Sequence, residues 1–237
     1  SSDVCSSDLL PQDPEHWLEG FMSGFSLLAE KYALSLIGGD LARGPLSVTL
    51  QLHGFVPTGS ALRRSGARPG DRIYVSGTLG DAGLALGMLD HRFIVDEQYH
   101  AALLQRLHRP QPRIELGLAL RGLATSTIDI SDGLQADLKH ILEASHAGAA
   151  LNPERVPVSE ALQQLPPEQA WNLALTAGDD YELCFTLPAT VTNEVVKNLA
   201  EITPLQCIGH VTAQGEIDWR RSDGTIYKPD GAGYHHF

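Results

Sequence analysis

Three stretches of the chain place carboxylates where an apolar run gives way to glycine: Gly38-Gly39-Asp40, Asp129-Ile130-Ser131-Asp132-Gly133 and Gly178-Asp179-Asp180-Tyr181. Hard cations such as Mg²⁺ take oxygen ligands, keep several waters, and are held by one or two carboxylates together with a substrate's phosphates. Carboxylates at strand ends stand on the rim of a sheet, where open α/β sheets bind ligands. Asp129 and Asp132 flank Ser131, so one turn can aim two carboxylates and a hydroxyl at a common point. The same residues also suit plainer duties. Asp132 before Gly133 is a ready helix N-cap, and Asp40, Asp179 and Asp180 are ordinary turn residues. Arg63 and Arg64 form a basic pair of the kind that is commonly only solvated. No G-x-x-x-x-G-K-[ST] run is present, and Gly77-x-x-Gly80-x-x-Gly83 is too loose for a dinucleotide fingerprint. Spacing alone therefore offers a site for a cation and a phosphate, with no substrate named.

The elements that must position these carboxylates alternate between helix and strand. Trp17, Leu18, Phe21, Phe25, Leu28 and Ala29 recur at helical spacing and predict a buried stripe. A short strand over Leu34 to Ile37 is expected to stop at Gly38, and Ser47 to Val56 alternates as a second strand. The polar, turn-rich run from Arg63 to Asp71 marks a domain junction. Beyond it come a strand over Ile73 to Ser76 and a helix near Asp81. Helices are expected at 97–108 and 113–122, and a strand at Thr127 to Ile130. The following helix buries Leu134, Leu138, Ile141 and Leu142. Short helices near 159–164 and 167–175 precede a strand alternating through Tyr181, Leu183, Phe185 and Leu187. A helix near 190–201, a strand over Leu205 to Val211, and a hairpin turning at Asp223-Gly224 complete the pattern. The class is α/β, with mixed α+β layers. The Ser-rich start, residues 1–10, has no period and no initiator Met, and reads as a disordered or non-native leader. The expected division is a 1–10 leader, an N-terminal part over 11–66 and a C-terminal domain over 67–237.

Composition narrows the function classes. With 237 residues, 43% hydrophobic and 19% charged, the chain can bury a core. Its net charge of −12 gives it no electrostatic reason to seek nucleic acid or anionic lipid. No apolar run approaches the roughly 18 residues of a membrane span. Cys5, Cys184 and Cys207 lack C-x-x-C spacing, which argues against a disulfide framework and for a reducing cytoplasm.

The order of the motifs carries more than any one of them. Leu36-Ile37-Gly38-Gly39-Asp40-x-x-Arg43-Gly44 is followed by His53-Gly54-x-Val56-Pro57-x-Gly59 and Arg64-Ser65-Gly66-Ala67-x-Pro69-Gly70-Asp71. Then come Ile128-Asp129-Ile130-Ser131-Asp132-Gly133-Leu134, Asp180-Tyr181-Glu182-Leu183-Cys184-Phe185 and Gly233-Tyr234-His235-His236-Phe237. From about Pro11 to Phe237 this series resembles the thiamine-monophosphate kinase family, of the aminoimidazole-ribonucleotide synthetase-like superfamily. The resemblance implies transfer of the γ-phosphoryl group of ATP to thiamine monophosphate, giving thiamine diphosphate and ADP. It implies an N-terminal α/β half, represented here by its C-terminal part, that dimerises through a strand barrel. A complete mixed α/β C-terminal domain follows. By position it implies Asp40, Asp129 and Asp132 as Mg²⁺ ligands, and Gly39, Asp40, Arg64 and Ser131 against the nucleotide. Arg64 and Asp132 would act in catalysis, and Asp179 and Tyr234 would meet the thiamine substrate.

Three departures accompany the resemblance. Asp179 stands where the family usually has Glu, and Gly231 where it often has an aromatic residue. The family's further N-terminal stretch with a Gly-Asp-Asp motif has no counterpart here. The expectation is therefore a truncated kinase with impaired turnover and a tendency to associate through uncovered strands. Two rival readings stand beside it: an ATP-dependent synthetase of the same superfamily, and a non-catalytic nucleotide-binding or dimerising fragment.

Overall fold

The computed structural model describes residues 2–10 and 15–231. Two compact units divide between Ala61 and Leu62. The division falls just ahead of the polar run, before the expected boundary at 66/67. The reason is local: the Arg63 carbonyl accepts the Thr127 N–H at 2.8 Å, and Ser145 Oγ accepts the Gly66 and Ala67 amides. Those bonds tie the junction to the second unit.

The first unit contains β1 (Ser2–Leu10), α1 (Glu15–Lys31), β2 (Leu34–Arg43) and β3 (Ser47–Gly54). The Ser-rich start, expected to lack structure, is a strand. It lies between parallel β2 and antiparallel β3, so its backbone is paired on both sides and needs no side-chain period. β2 does not stop at Gly38 as expected but runs on to Arg43. Val4 pairs with Leu36 and Cys5 with Gly38, leaving Ile37 as the extra residue of a bulge. Asp40 is therefore a strand residue opposite Ser7, not the end of a turn. On α1, Trp17, Phe21 and Phe25 stack in series with ring centroids 5.2 and 6.2 Å apart. The stripe is half-buried rather than buried, and Leu28 is exposed. Val48, Leu50 and Leu52, alternating along β3, are likewise exposed.

The second unit is built on a seven-stranded mixed sheet. Its strands are β4 (Arg72–Ser76), β5 (Ser126–Asp129), β6 (Gly148–Leu151), β7 (Leu183–Leu187), β8 (Leu205–Thr212), β9 (Ile217–Arg220) and β10 (Ile226–Tyr227). The order is β10-β9-β6-β8-β4-β7-β5, and of its neighbouring pairs only β6 and β9 run parallel. The helices are α2 (Asp81–Leu89), α3 (Glu97–His108), α4 (Ile114–Ala119), α5 (Leu134–Ser145), α6 (Glu160–Gln163), α7 (Pro167–Thr176) and α8 (Asn193–Ile202).

β4 shows how the core is made. Ile73 and Val75 join Leu138 and Ile141 of α5 on one face, while Tyr74 joins Leu116 of α4 and Leu199 of α8 on the other. With both faces covered, the last four residues of the strand are buried, and the one among them with an aliphatic hydroxyl, Ser76, donates to Glu182. α2, α3, α6 and α7 enclose a third cluster around Leu84, Leu103 and Leu162. Among the described residues no helix is long and apolar enough to cross a membrane.

Candidate active site

β5 delivers the chain to the sheet rim and α5 takes it away, with the turn 129–133 between them. Asp129 is exposed, Ile130 is buried, and Ser131 and Asp132 are partly exposed. Asp132 does not cap α5. The N-cap is Gly133, at φ 112°, which has no side chain to offer. The acceptor comes instead from inside the helix: Asp137 Oδ2 accepts the Ser131 N–H at 2.9 Å and the Asp132 N–H at 3.0 Å. Burial pushes the Asp137 carboxyl above its ordinary value, the two N–H bonds oppose that shift, and Asp132 and Asp129 add to it. Asp137 is not among the residues that motif spacing singles out. Its signal was position, because it falls three residues after Leu134 and just before Leu138, on the face that faces the core.

The second loop, 177–182, docks on the first. The Asp179 N–H donates to the Ser131 carbonyl at 2.9 Å, and the Tyr181 N–H to the Ile130 carbonyl at 2.8 Å. Asp179 and Tyr181 have φ of 58° and 50°, in the left-handed region that non-glycine residues seldom visit. Such strain gathers at functional sites. Gly178 permits the approach, since a Cβ there would stand 2.4 Å from the Ser131 carbonyl oxygen. The Tyr181 hydroxyl donates to Asp179 Oδ1 at 3.2 Å. Its pKa is raised first by burial, then by the charges of Asp179, Asp129 and Asp132. Tyr181 was expected in a strand, but β7 begins only at Leu183, because the left-handed turns hold the chain off the sheet until then.

Asp180 and Glu182 turn inward from the same loop. Both Asp180 oxygens accept the Gly80 N–H, at 2.9 and 3.0 Å. Burial pushes the Asp180 carboxyl well above its ordinary value; the Gly80 bonds and Arg106 lower it, and Asp81 and Glu182 raise it. Glu182, fully buried, accepts Ser76 Oγ–H at 2.5 Å, Arg106 at 3.1 Å and Arg113 Nε–H at 2.7 Å. Arg106 Nε also lies 3.8 Å from Asp81. Neither arginine was singled out from the sequence. The clue was Asp180 and Glu182 at strand-like period beside an apolar run, since buried carboxylates require cations or donors.

The structure thus gathers Asp129, Ser131, Asp132 and Asp179 on one rim of the second unit. Arg64 is exposed in the segment beside β5, next to the Arg63 carbonyl that binds Thr127. Gly39 and Asp40 belong to the first unit, where they line a cavity of about 450 Å³ with Phe21, Phe25 and Gly38. Asp40 Oδ1 accepts the N–H of Leu41 at 3.0 Å. Tyr234 lies outside the described residues. Among the described residues no three His, Cys, Asp or Glu side chains gather closely enough to form a ready-made metal cage.

Comparison with known proteins gives this arrangement a class. Residues 68–220 match the AIR synthase related protein, C-terminal domain. At the level of the whole chain the matches are narrower. The thiamine-monophosphate kinase of Escherichia coli (strain K12) is 48% identical over 231 residues, covering 96% of this chain and 71% of that protein. The crystal structure of thiamine-monophosphate kinase from Stenotrophomonas maltophilia K279a superposes with a TM-score of 0.85 at 42% identity, covering 91% of this chain and 71% of that one. A structure of AaThiL complexed with AMPPCP and TMP gives 0.79 at 31% identity, covering 99% and 73%. The chain belongs to the thiamine-monophosphate kinase family.

Proposed function

We propose that this chain serves the phosphorylation of thiamine monophosphate by ATP, yielding thiamine diphosphate and ADP, at the rim formed by loops 129–133 and 177–182. The observation that carries the reading is the mutual docking of these loops, which turns Asp129, Asp132 and Asp179 outward around one patch. The acceptor is a phosphate oxygen already anionic near neutral pH, so no strong general base is needed. The barrier lies in bringing two phosphates together. At about 4 Å in an effective dielectric near 20, each pair of like unit charges costs roughly 4 kcal/mol.

The residues present fit Mg²⁺. Asp129 and Asp132 offer hard oxygen donors at a solvent-reaching strand end, and the ion's other positions belong to water and phosphate oxygens. When bound, the ion supplies positive charge that neutralises the reacting phosphates. Asp40 is a further proposed Mg²⁺ ligand. Gly39 and Ser131 would orient the nucleotide, Arg64 would offset developing negative charge, and Asp179 and Tyr234 would hold the thiamine substrate. We also propose a homodimer formed through the first unit, where Val48, Leu50 and Leu52 leave one strand face apolar and exposed. The reaction's demand for ATP suits the cytoplasm.

The test is product analysis with Mg-ATP and thiamine monophosphate. ADP and thiamine diphosphate are expected in equal amounts, with turnover at least about 100-fold lower in Asp132→Asn, as for loss of one transition-state electrostatic contact. ADP release that depends on a different small-molecule acceptor, with none on thiamine monophosphate, overturns the reading.

A further inference from the structure

Asp137 is buried, and its carboxylate holds the backbone of the 129–133 turn. A trans peptide is planar, with its N–H and C=O pointing in opposite directions. The peptide joining Ile130 to Ser131 gives its N–H to Asp137 and its carbonyl to the Tyr181 N–H. The next peptide, Ser131 to Asp132, gives its N–H to the same Asp137 oxygen and its carbonyl to the Asp179 N–H. Two consecutive peptide planes are therefore gripped at both ends, by a buried helix carboxylate on one side and by the 179–181 backbone on the other. Rotating either plane breaks bonds on both sides at once. Gly133 provides no capping side chain, and Gln135, which also carries a side-chain oxygen in the first turn, accepts the Trp219 Nε1–H instead. Charged acceptors make the stronger hydrogen bonds, and the N-terminal turn of α5 favours a negative charge.

We propose that Asp137 is a positioning residue for the reaction: it locks the 129–133 turn in the form that presents Asp129 and Asp132 to a divalent cation, and through the shared peptides it sets Asp179 and Tyr181 as well. This rests on the reading of the rim as the metal and substrate site. Asp137→Asn keeps an oxygen able to accept both N–H groups but removes the charge, whereas Asp137→Ala removes both.

The test measures Mn²⁺ binding by electron paramagnetic resonance, with a non-hydrolysable ATP analogue present, for the full chain and both variants below their melting temperatures. Affinity is expected to fall by about 10–100-fold in Asp137→Ala, the range for outer partners of metal ligands, and by less in Asp137→Asn. Amide exchange at Ser131 and Asp132 should quicken in the same order. Equal Mn²⁺ affinities in the wild type and Asp137→Asn, together with an unfolded Asp137→Ala, reduce Asp137 to a folding residue and overturn the inference. Equal affinities in all three do so too. Absence of Mn²⁺ binding by the wild-type chain overturns the proposed metal site itself, and the inference with it.

Discussion

Replacing Glu182 with Gln tests what holds the 177–182 loop in place. Glu182 is fully buried and receives Ser76, Arg106 and Arg113, whose guanidinium-bearing side chains are 21% and 22% exposed. Removing one member of a buried ion pair costs about 3–5 kcal/mol, because the partner charge is left uncompensated. Water reaches about a fifth of each arginine, so the loss should fall at the lower end, about 3 kcal/mol. For a unit the size of 62–237 that corresponds to a fall in Tm of about 6–12 °C. Denaturant titration and calorimetry of Glu182→Gln measure it. Glu143→Gln, which breaks the exposed Lys139 pair at 66% and 60% exposure, provides the control at about 0.3–0.5 kcal/mol. A double-mutant cycle with Arg113→Gln should give a coupling above about 1 kcal/mol. A Glu182→Gln loss no larger than the control's would refute the assignment of this network as the loop's anchor.

Three further outcomes follow from the geometry. Asp180 binds more protons folded than unfolded between the ordinary carboxylate value and its raised native one, so its ionisation removes stability as pH rises through that window. Asp180→Asn should therefore gain on the wild type as pH rises from 4 to 8, measured by urea unfolding; a difference independent of pH counts against it, Arg106, Asp81 and Glu182 being the charges that face the group. Gly178→Ala should cost roughly 1–3 kcal/mol in strain at φ 75° and weaken thiamine monophosphate binding, read by calorimetry, because its Cβ displaces the Ser131 carbonyl. If the proposed homodimer forms through β3, Leu50→Glu should shift it toward monomer in light scattering, and an unchanged mass would argue against association through β3.

Elements with one strong period were legible from sequence: α5, α8 and β8 stand close to where the spacing of apolar residues puts them. β1 was not, because Ser2–Leu10 is held by backbone pairing to two neighbours, and a Ser-rich strand advertises nothing through its side chains. β2 was cut short for a related reason. Gly38 and Gly39 signal a turn locally, but pairing to β1 with a one-residue bulge carries the strand through them. Tyr181 misled in the opposite sense. It continues the alternation of Leu183, Phe185 and Leu187, yet it sits at positive φ, a backbone state that period alone cannot reveal.

At the candidate site, motif spacing drew attention to Asp129, Asp132, Asp179 and Asp180 but not to Asp137, and it gave no carboxylate a direction. Asp129, Asp132 and Asp179 face outward, while Asp137, Asp180 and Glu182, drawn from the same short stretches, face inward. Residue type cannot separate the two sets; desolvation does. A buried carboxylate survives only with donors around it, and here these are the amides of Ser131, Asp132 and Gly80, the Ser76 hydroxyl and two arginines. The outward three sit on two loops that backbone hydrogen bonds hold together. Each of the inward three holds one of the same two loops to the core. The geometry of the acidic rim thus depends on a second acidic layer behind it, and if the rim is the cation site proposed above, substitutions in that inner layer should weaken cation binding even though they lie away from the rim.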